Sequence, residues 1–390
     1  MNPKRSNFTY PQRAHSGFSL VELMVAITLG LLLTAGMVQL FQGTKVTFNT
    51  NDALARVQEN GRFAIELLKR ELRMAGTHGF CAAQLDIRNH LNQDCGGALN
   101  TLFDANQAVS GWDYNGTATG SDYQVPEELD PGGASAADWT TTVGGGDPMP
   151  GLLQGQVVPG TDVLVVRRME VIPDLTSVGN TQQTSNSINL VGSHNLPDDS
   201  LVLVTNCANA ADLFQNVNNA NATAFSKGNS SCSNPGPGNS NAQDWTTAYD
   251  ESMQAFQVVM EAFYIGADAE GNPGLYRLNL TSGTTAADRQ ELVRGAENLQ
   301  LQYGFSRAAP AGDGQSVDDW IDASAVPDDG WGQVLSIRLG ISMRSTEFAD
   351  FDDTEQVFDL AGVNIETQGD GRLRQPFSST VALRNRVLVF

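Results

Sequence analysis

Basic residues are scarce in this 390-residue chain, which has 23 Lys and Arg against 44 Asp and Glu and a formal net charge of −21. Nucleic-acid binding requires clustered Lys and Arg to neutralise phosphates. The composition therefore excludes nucleic acid as an expected partner. It suits an exported domain that does not adhere to anionic lipid.

Sequence motifs for catalysis are also missing. The chain contains no Gly-x-Ser-x-Gly, no His-Glu-x-x-His and no Walker sequence. Its glycine clusters are not followed by the Gly-Lys-Ser/Thr that a phosphate loop needs. His194 lies in a Gly-Ser-His-Asn turn and is predicted to be a solvated loop residue. We therefore expect neither an enzyme nor a bound cofactor.

The chain has only four cysteines, which fall as two local pairs, Cys81/Cys95 and Cys207/Cys232. Four cysteines permit three disulfide connectivities, and we favour the local one. It would close loops of roughly 15 and 26 residues, each stabilising by about 3 kcal/mol in the chain-entropy model. The alternative is zinc, because His78 and His90 lie close to the first pair in sequence. We expect no metal.

One long apolar run stands out against this polar background. It begins with Gly17-Phe18-Ser19-Leu20-Val21-Glu22-Leu23-Met24-Val25-Ala26 and continues to Phe41, with Glu22 as its only charge. About 20 apolar residues are enough to cross a bilayer as a helix. A carboxylate near one end costs a few kcal/mol in lipid unless it is paired. Lys4, Arg5 and Arg13 precede the run without an acidic residue, which favours a cytoplasmic N-terminus.

This arrangement resembles the class III signal of type IV prepilins and pseudopilins. The resemblance implies that a prepilin peptidase cuts between Gly17 and Phe18 and that Phe18 is then N-methylated. It implies that Glu22, the fifth residue of the mature chain, pairs with the N-terminal amine of a neighbouring subunit during assembly. Removal of the leader leaves 20 basic against 44 acidic residues, a net charge near −24.

After Phe41 the pattern becomes that of an amphipathic helix. Apolar residues recur at three- and four-residue steps and form a seam along one face of the helix. The seam consists of Leu54, Val57, Ala64, Leu68, Leu72 and Ala75. Gly43 and Gly61 are positions where the helix is expected to bend or melt, and Gly76 is a plausible stop. The stretches Q-E-N-G-R-F-A (58–64) and R-M-A-G (73–76) resemble PilW-type minor pilins.

The distal half reads as strands. They are predicted at residues 161–168, 200–205, 255–265, 274–280, 299–303, 334–345 and 377–389, with weak alternation at 182–190. The first half of the segment 289–303 is predicted to be a turn or short helix. Residues 291–304, 334–339 and 381–386 again resemble PilW-type proteins, whereas residues 90 to 250 carry no such resemblance.

Two segments are predicted to be loops. Residues 206–244 are rich in Asn, Ser, Ala and Gly and are expected to form a long surface excursion, without a second core. Residues 313–329 carry Asp318, Asp319, Asp322, Asp328 and Asp329. We expect a solvated acidic loop there, and calcium binding is the alternative.

The sequence therefore predicts an α+β, pilin-like fold: a long N-terminal helix, transmembrane and then amphipathic, packed on a mainly antiparallel β-sheet domain. The expected organisation is a leader at 1–17, a transmembrane and assembly helix at 18–41, an amphipathic helix at 42–78 and a loop-rich β domain at 79–390. The expected location is the inner membrane as a single-pass protein with a periplasmic domain, and then the extracellular pilus.

The resemblance implies a minor pilin that primes type IV pilus assembly and enters at or near the pilus tip, supporting adhesion and twitching motility. Implied partners are other minor pilins, the major pilin, the prepilin peptidase, the inner-membrane assembly platform and a tip adhesin. Two alternatives stay open: a pseudopilin of a type II secretion system, and a pilus-tip adhesive module in which residues 90 to 250 bind a surface.

Overall fold

The computed structural model describes residues 17, 19–77, 87–92, 107–141, 149–179, 181–228, 237–240, 244–280, 289–307, 314–327, 330–347 and 355–384. The chain divides into two compact units, Met1–Asn51 and Asp52–Phe390. The fold is α+β, with one long N-terminal helix and a mostly antiparallel β domain.

The regular structure of the described residues is one helix, eighteen strands and five short 3-10 turns. The helix α1 is Leu20–Met74. The strands are β1 (Ile87–Asn89), β2 (Val109–Tyr114), β3 (Asp122–Gln124), β4 (Trp139–Thr140), β5 (Val163–Val171), β6 (Ser187–Asn189), β7 (Leu201–Thr205), β8 (Ala211–Gln215), β9 (Ala224–Ser226), β10 (Gln254–Ala267), β11 (Pro273–Asn279), β12 (Arg289–Arg294), β13 (Ala296–Phe305), β14 (Asp319–Ile321), β15 (Val334–Arg344), β16 (Val357–Leu360), β17 (Val363–Glu366) and β18 (Arg374–Ala382). The 3-10 turns are Pro131–Gly133, Ala136–Asp138, Gly151–Leu153, Ala323–Ala325 and Trp331–Gln333.

The strands form four sheets. The largest has nine strands in the order β1-β8-β7-β10-β5-β2-β4, with β11 on β10 and β12 on β11. A second sheet has the order β14-β13-β15-β18, a third β16-β17-β3, and a fourth pairs β6 with β9. All pairings are antiparallel except β1 with β8 and β17 with β3.

Strand β10 organises the nine-stranded sheet. Along one edge it pairs with β5, and along its other edge β7 covers its first residues and β11 its last. Its fourteen residues are long enough to serve both neighbours. β10 is almost wholly buried, as expected of a central strand with both faces covered.

The seam predicted on the second half of α1 is buried, except that Leu54 is 37% exposed. Val57, Ala64, Leu68, Leu72 and Ala75 belong to the main hydrophobic core together with residues of both large sheets. The helix ends where Gly76 adopts a left-handed φ of 69°, the conformation that most often ends a helix. The Gly76 amide then donates to the Arg167 carbonyl of β5 at 2.8 Å.

Gly61 is not a point where the helix melts, as the sequence suggested; α1 is continuous through it. Its missing side chain is needed for packing, because a Cβ there would lie 2.1 Å from Cε2 of Phe377 in β18. The neighbouring Asn60 side chain donates to the Arg294 carbonyl at 3.2 Å. The Q-E-N-G-R-F-A stretch therefore contacts the β domain through its Asn and its Gly.

A glycine also carries the chain from one sheet to the other. Gly295 lies between β12 and β13 with φ 81°, and a Cβ there would be 2.5 Å from the Arg344 carbonyl. Its amide donates to Pro273 and its carbonyl accepts from Arg344, at 2.9 and 2.7 Å. The prediction of a turn or short helix over the first half of 289–303 is wrong, because those residues pair with β11 as β12.

The prediction that residues 206–244 form a surface excursion without a core is also wrong. Phe214 of β8 and Phe225 of β9 are fully buried in a second hydrophobic cluster with Trp245 and Tyr249. The rings pack edge to face, with Phe214 5.9 Å from Phe225 and 5.1 Å from Trp245. A few aromatic side chains bury enough surface to form a core despite the polar composition between them.

Gly61→Ala is expected to lower the free energy of unfolding by as much as about 2 kcal/mol, and to leave the protein less stable than Gly43→Ala does. Overpacking against Phe377 costs about 1–3 kcal/mol, and the better helix propensity of Ala returns about 1 kcal/mol. The measurement is urea-induced unfolding of the full chain in detergent.

Gly43→Ala is the matched control, since no atom lies within 4 Å of a Cβ there. A second substitution, Phe377→Leu, should recover part of the loss in the Gly61→Ala background. Equal stability of Gly61→Ala and Gly43→Ala would show that the contact with Phe377 is unimportant.

Candidate functional site

The helix begins with a capping box formed by Ser19 and Glu22. The Glu22 amide donates to Ser19 Oγ at 3.3 Å, and the Ser19 amide donates to Glu22 Oε2 at 3.2 Å. The two side chains thereby satisfy two amides that the first helical turn leaves without partners. Gly17 is exposed, while Phe18 lies outside the described residues. Sequence reasoning assigned Glu22 to assembly and missed its local role, although Ser-x-x-Glu is readable as a capping pattern.

The first half of α1 presents a long apolar surface to its surroundings. Its exposed large side chains are Leu20, Val21, Leu23, Met24, Val25, Ile27, Leu29, Leu31, Leu32, Leu33, Met37, Val38, Leu40, Phe41, Val46 and Phe48. Among the described residues, α1 is the one helix long and apolar enough to cross a membrane. Soluble proteins rarely expose so large an apolar surface unless it contacts a membrane or a partner.

Threonine hydroxyls in this half are satisfied within the helix itself. Thr34 donates to the Gly30 carbonyl at 2.7 Å, and Thr44 to the Leu40 carbonyl at 2.8 Å. Thr47 does the same to Gly43. Because each of these hydroxyls already has a backbone acceptor, the threonines are tolerated in lipid or in a dry helix–helix interface.

The second half of α1 is fixed to the β domain by buried charges as well as by the seam. Glu71 lies 3.4 Å from Arg168 of β5, and Arg168 also pairs with Glu261 of β10. Burial raises the pKa of Glu71, and the nearby Arg168 opposes that rise. Removing one partner would leave a buried charge uncompensated, so the arrangement fixes the helix position.

The strand that contacts Gly61 is itself fixed by a buried ion pair. Arg374 of β18 donates to both carboxylate oxygens of Glu297 in β13, at 2.8 and 3.0 Å. Arg344 of β15 reaches the same carboxylate at 3.2 Å. This geometry connects three strands of the second sheet and holds Phe377 against the helix.

A pair of buried carboxyl groups lies between the two large sheets, and sequence reasoning did not find it. Asp113 of β2 accepts from the Ser324 amide at 2.7 Å, and Asp162 accepts from the Leu301 amide at 2.8 Å. Burial raises the pKa of Asp113 to about 7, with Asp322 adding to the rise and the Ser324 amide opposing it. Burial also raises the pKa of Asp162, and the proximity of Asp113 raises it further.

His90 has a structural role that conflicts with the zinc alternative. Its Nε2 lies 2.6 Å from Asp212 Oδ1, and its Nδ1 lies 3.4 Å from Lys227 Nζ. Tyr249 donates its hydroxyl to the other Asp212 oxygen at 2.6 Å. With both ring nitrogens engaged, His90 is not available as a ligand; His78, Cys81 and Cys95 lie outside the described residues.

The remaining predicted sites have the following outcomes. Cys207 is in a disulfide, while Cys232 lies outside the described residues, so the local pairing stays a prediction. Asp318 accepts from the Arg307 amide at 2.7 Å and Asp322 accepts from the Thr119 amide at 2.9 Å. Asp328 and Asp329 are outside the description. Within the described ranges, no group of three or more His, Cys, Asp or Glu could hold a metal ion.

His194 is buried, only 2% exposed, and not solvated as predicted. Its Nδ1 accepts from the Leu196 amide at 3.1 Å, its Nε2 lies 3.2 Å from Asn216 Nδ2, and its ring stacks on Phe225. Burial lowers its pKa. It has a packing role in the second core and belongs to no hydrolase triad of the described residues.

Two family profiles match the chain. One is described as type IV pilus-assembly protein W, PilW, and matches residues 262–385. The other is the prokaryotic N-terminal methylation motif and matches residues 12–38. No curated protein and no solved structure gives a match. The first profile spans the strands that hold Gly295, Glu297 and Phe377, and the second spans the capped start of α1.

Asp113→Asn is expected to stabilise the protein at pH 8 by roughly 1–4 kcal/mol. A carboxyl group whose folded pKa of about 7 exceeds its unfolded value stays protonated in the fold after the unfolded chain has ionised. Stability therefore falls as pH rises from about 4 to about 7. Asn keeps an acceptor for the Ser324 amide and cannot ionise. The measurement is the urea midpoint at pH 5 and pH 8.

Glu128→Gln, at an exposed carboxylate, is the control and should leave the pH profile unchanged. A loss of stability in Asp113→Asn that is equal at both pH values would show that Asp113 is ionised in the native protein.

Proposed function

This chain is a PilW-like type IV pilin, and from that premise we propose that it is a minor pilin that helps to prime pilus assembly and enters the filament at or near its tip. The observation that carries the proposal is the capped, exposed apolar half of α1. Such a surface needs lipid before assembly and neighbouring helices after it.

Support for the tip position comes from the β domain. The β domain contains four sheets and two hydrophobic clusters. A subunit with so large a domain does not obstruct the filament if no further subunit is added above it. The PilW-type match over residues 262–385 favours a pilus over a secretion pseudopilus. Pilins are structural proteins, so no catalytic role is proposed.

In the proposed mechanism, the prepilin peptidase cuts between Gly17 and Phe18 and methylates Phe18. The prepilin signal and apolar helix fit an inner-membrane anchor, and the β domain is proposed to wait in the periplasm. In the filament, Glu22 exchanges its capping contact for the positively charged Phe18 amine of a neighbour. A buried ion pair of this kind contributes register more than bulk stability, whereas apolar packing of residues 20–41 supplies the association.

The proposed partners are other pilus components: further minor pilins, the major pilin, the inner-membrane assembly platform and a tip adhesin. Through them the protein would support adhesion and twitching motility. Disulfides Cys81–Cys95 and Cys207–Cys232 are proposed to fix two loops of the exported domain, where an oxidising environment permits them.

Gly17→Ala is expected to leave an uncleaved precursor that does not enter pili, because the bond after residue 17 is the proposed cleavage site. Mass spectrometry of the N-terminus, on protein from its native membrane, is the measurement. A mature chain that still begins at methylated Phe18 in the Gly17→Ala strain would contradict the assignment.

Glu22→Gln and Ser19→Ala separate the two proposed roles of the first turn, which are the charge pairing of Glu22 and the helix cap. Gln retains an oxygen that can accept from the Ser19 amide but has no charge, so Glu22→Gln should be processed and yet fail to support piliation. Ser19→Ala loses a cap worth about 1 kcal/mol and keeps the carboxylate, so pili should form.

The measurement is the quantity of pili sheared from cells that carry only the variant copy. Glu22→Ala, which removes charge and cap together, should match Glu22→Gln. Normal piliation in Glu22→Gln cells would mean that charge pairing is not how this subunit assembles.

A further inference from the structure

Few large apolar side chains outside α1 are exposed among the described residues of the β domain. Among the described residues beyond the helix, the large exposed apolar side chains are Val171, Val178, Val191 and Val357. Val178 and Val191 lie on adjacent segments, since the Val178 amide donates to Asn189 and the Val191 amide to Thr176, at 2.8 and 3.1 Å. Val171 ends β5. These three valines are 48%, 56% and 66% exposed in the order Val171, Val178, Val191.

Val171 and the residues that follow Val191 line the same groove. Residues 170–175, residues 192–196 and Gln257 of β10 line it, and its volume is about 480 Å³. This is within the range of sites that hold a small ligand or a few side chains. Ile172, Leu175 and Leu196 give the walls an apolar lining.

The charged side chains that line the groove are acidic. Glu170 and Asp174 line it, and no Lys or Arg does. Arg168 lies 3.1 Å from Glu170 but is itself held by Glu71 and Glu261. Asp174 is exposed, as is Asp198, two positions after the end of the second wall. Because burial lowers the pKa of His194, that ring brings no compensating positive charge at neutral pH. The groove therefore favours a cationic ligand.

The walls are held in shape by their backbone and by the core beneath. Asp174 and Asn195 adopt left-handed φ values of 57° and 54°, and Asp199 adopts 62°, conformations that Asn and Asp tolerate better than other residues. The buried His194 accepts from the Leu196 amide and fixes the second wall. A groove that is formed before binding loses little ordering entropy when it is occupied.

We propose that this groove docks an extended segment of a partner polypeptide in which a Lys or Arg lies beside aliphatic side chains. The aliphatic groups would cover Val171, Val191 and the apolar walls, and the cation would meet Asp174. This interaction is additional to filament packing through α1, because none of these residues belongs to the helix.

The test is selection of a random heptapeptide phage library on the full-length protein in detergent. The enriched peptide is then synthesised, and its binding is measured by fluorescence anisotropy. We expect enrichment of Lys or Arg next to Val, Leu or Ile. The double variant Asp174→Asn/Val191→Ser should weaken binding of the synthesised peptide at least tenfold. Val357→Ser, at an exposed valine of β16 outside the groove, should bind as wild type does.

Three results would overturn the proposal. The first is the absence of any enriched sequence, and the second is an acidic or purely aromatic consensus. The third is equal binding to wild type and to the double variant, which would mean that a basic peptide adheres to the acidic protein in general. Both substitutions are at exposed positions, so the double variant is expected to fold. An unchanged urea midpoint would confirm this.

Discussion

Helix α1 has to meet two different demands along one continuous backbone, and the rest of the structure depends on this constraint. Its first half must be stable with its side chains exposed to an apolar environment, so every polar group has to be satisfied locally. The capping box of Ser19 and Glu22 and the back-bonded threonines satisfy their own polar groups in this way. Its second half must be held by a β domain, which requires a buried seam and close approach at Gly61.

The β domain is built to hold that second half. Glu71 reaches Arg168 and Glu261 in the nine-stranded sheet, while Gly61 admits Phe377 from the four-stranded sheet. Gly295 joins the two sheets with a single residue, and Glu297 binds Arg374 and Arg344 immediately after it. The helix thus contacts both sheets, and the PilW-type region supplies the residues that connect them.

The middle of the chain adds a second hydrophobic cluster to the β domain. Its cluster of Phe214, Phe225, Trp245 and Tyr249 supports β7 and β8 and carries the groove at residues 170–175 and 192–196. The buried Asp212 forms hydrogen bonds with His90, Thr246 and Tyr249 beside this cluster. The groove and the exposed half of α1 are formed by different segments of the chain.

Local pattern was enough to determine the elements near both ends of the chain. The apolar run, the seam from Val57 to Ala75, the helix stop at Gly76 and most long strands follow from side-chain periodicity and turn chemistry, which act over a few residues. The α+β fold and the pilin family were readable for the same reason. The assignment of Gly17, Phe18 and Glu22 as site residues stays a prediction, and it rests on a short motif that needs no tertiary contact.

Tertiary structure alone decided the rest, because the forces involved join residues distant in sequence. Gly61 looked like a weak point until Phe377 was placed against it, more than 300 positions away. The segment 289–294 is a strand because it pairs with the edge of β11, and this pairing outweighs its local preference for a turn or short helix. His194 and the aromatic residues between 206 and 249 are buried because they pack against one face of the nine-stranded sheet. Asp113 and Asp162 have raised pKa values only because two sheets close over them.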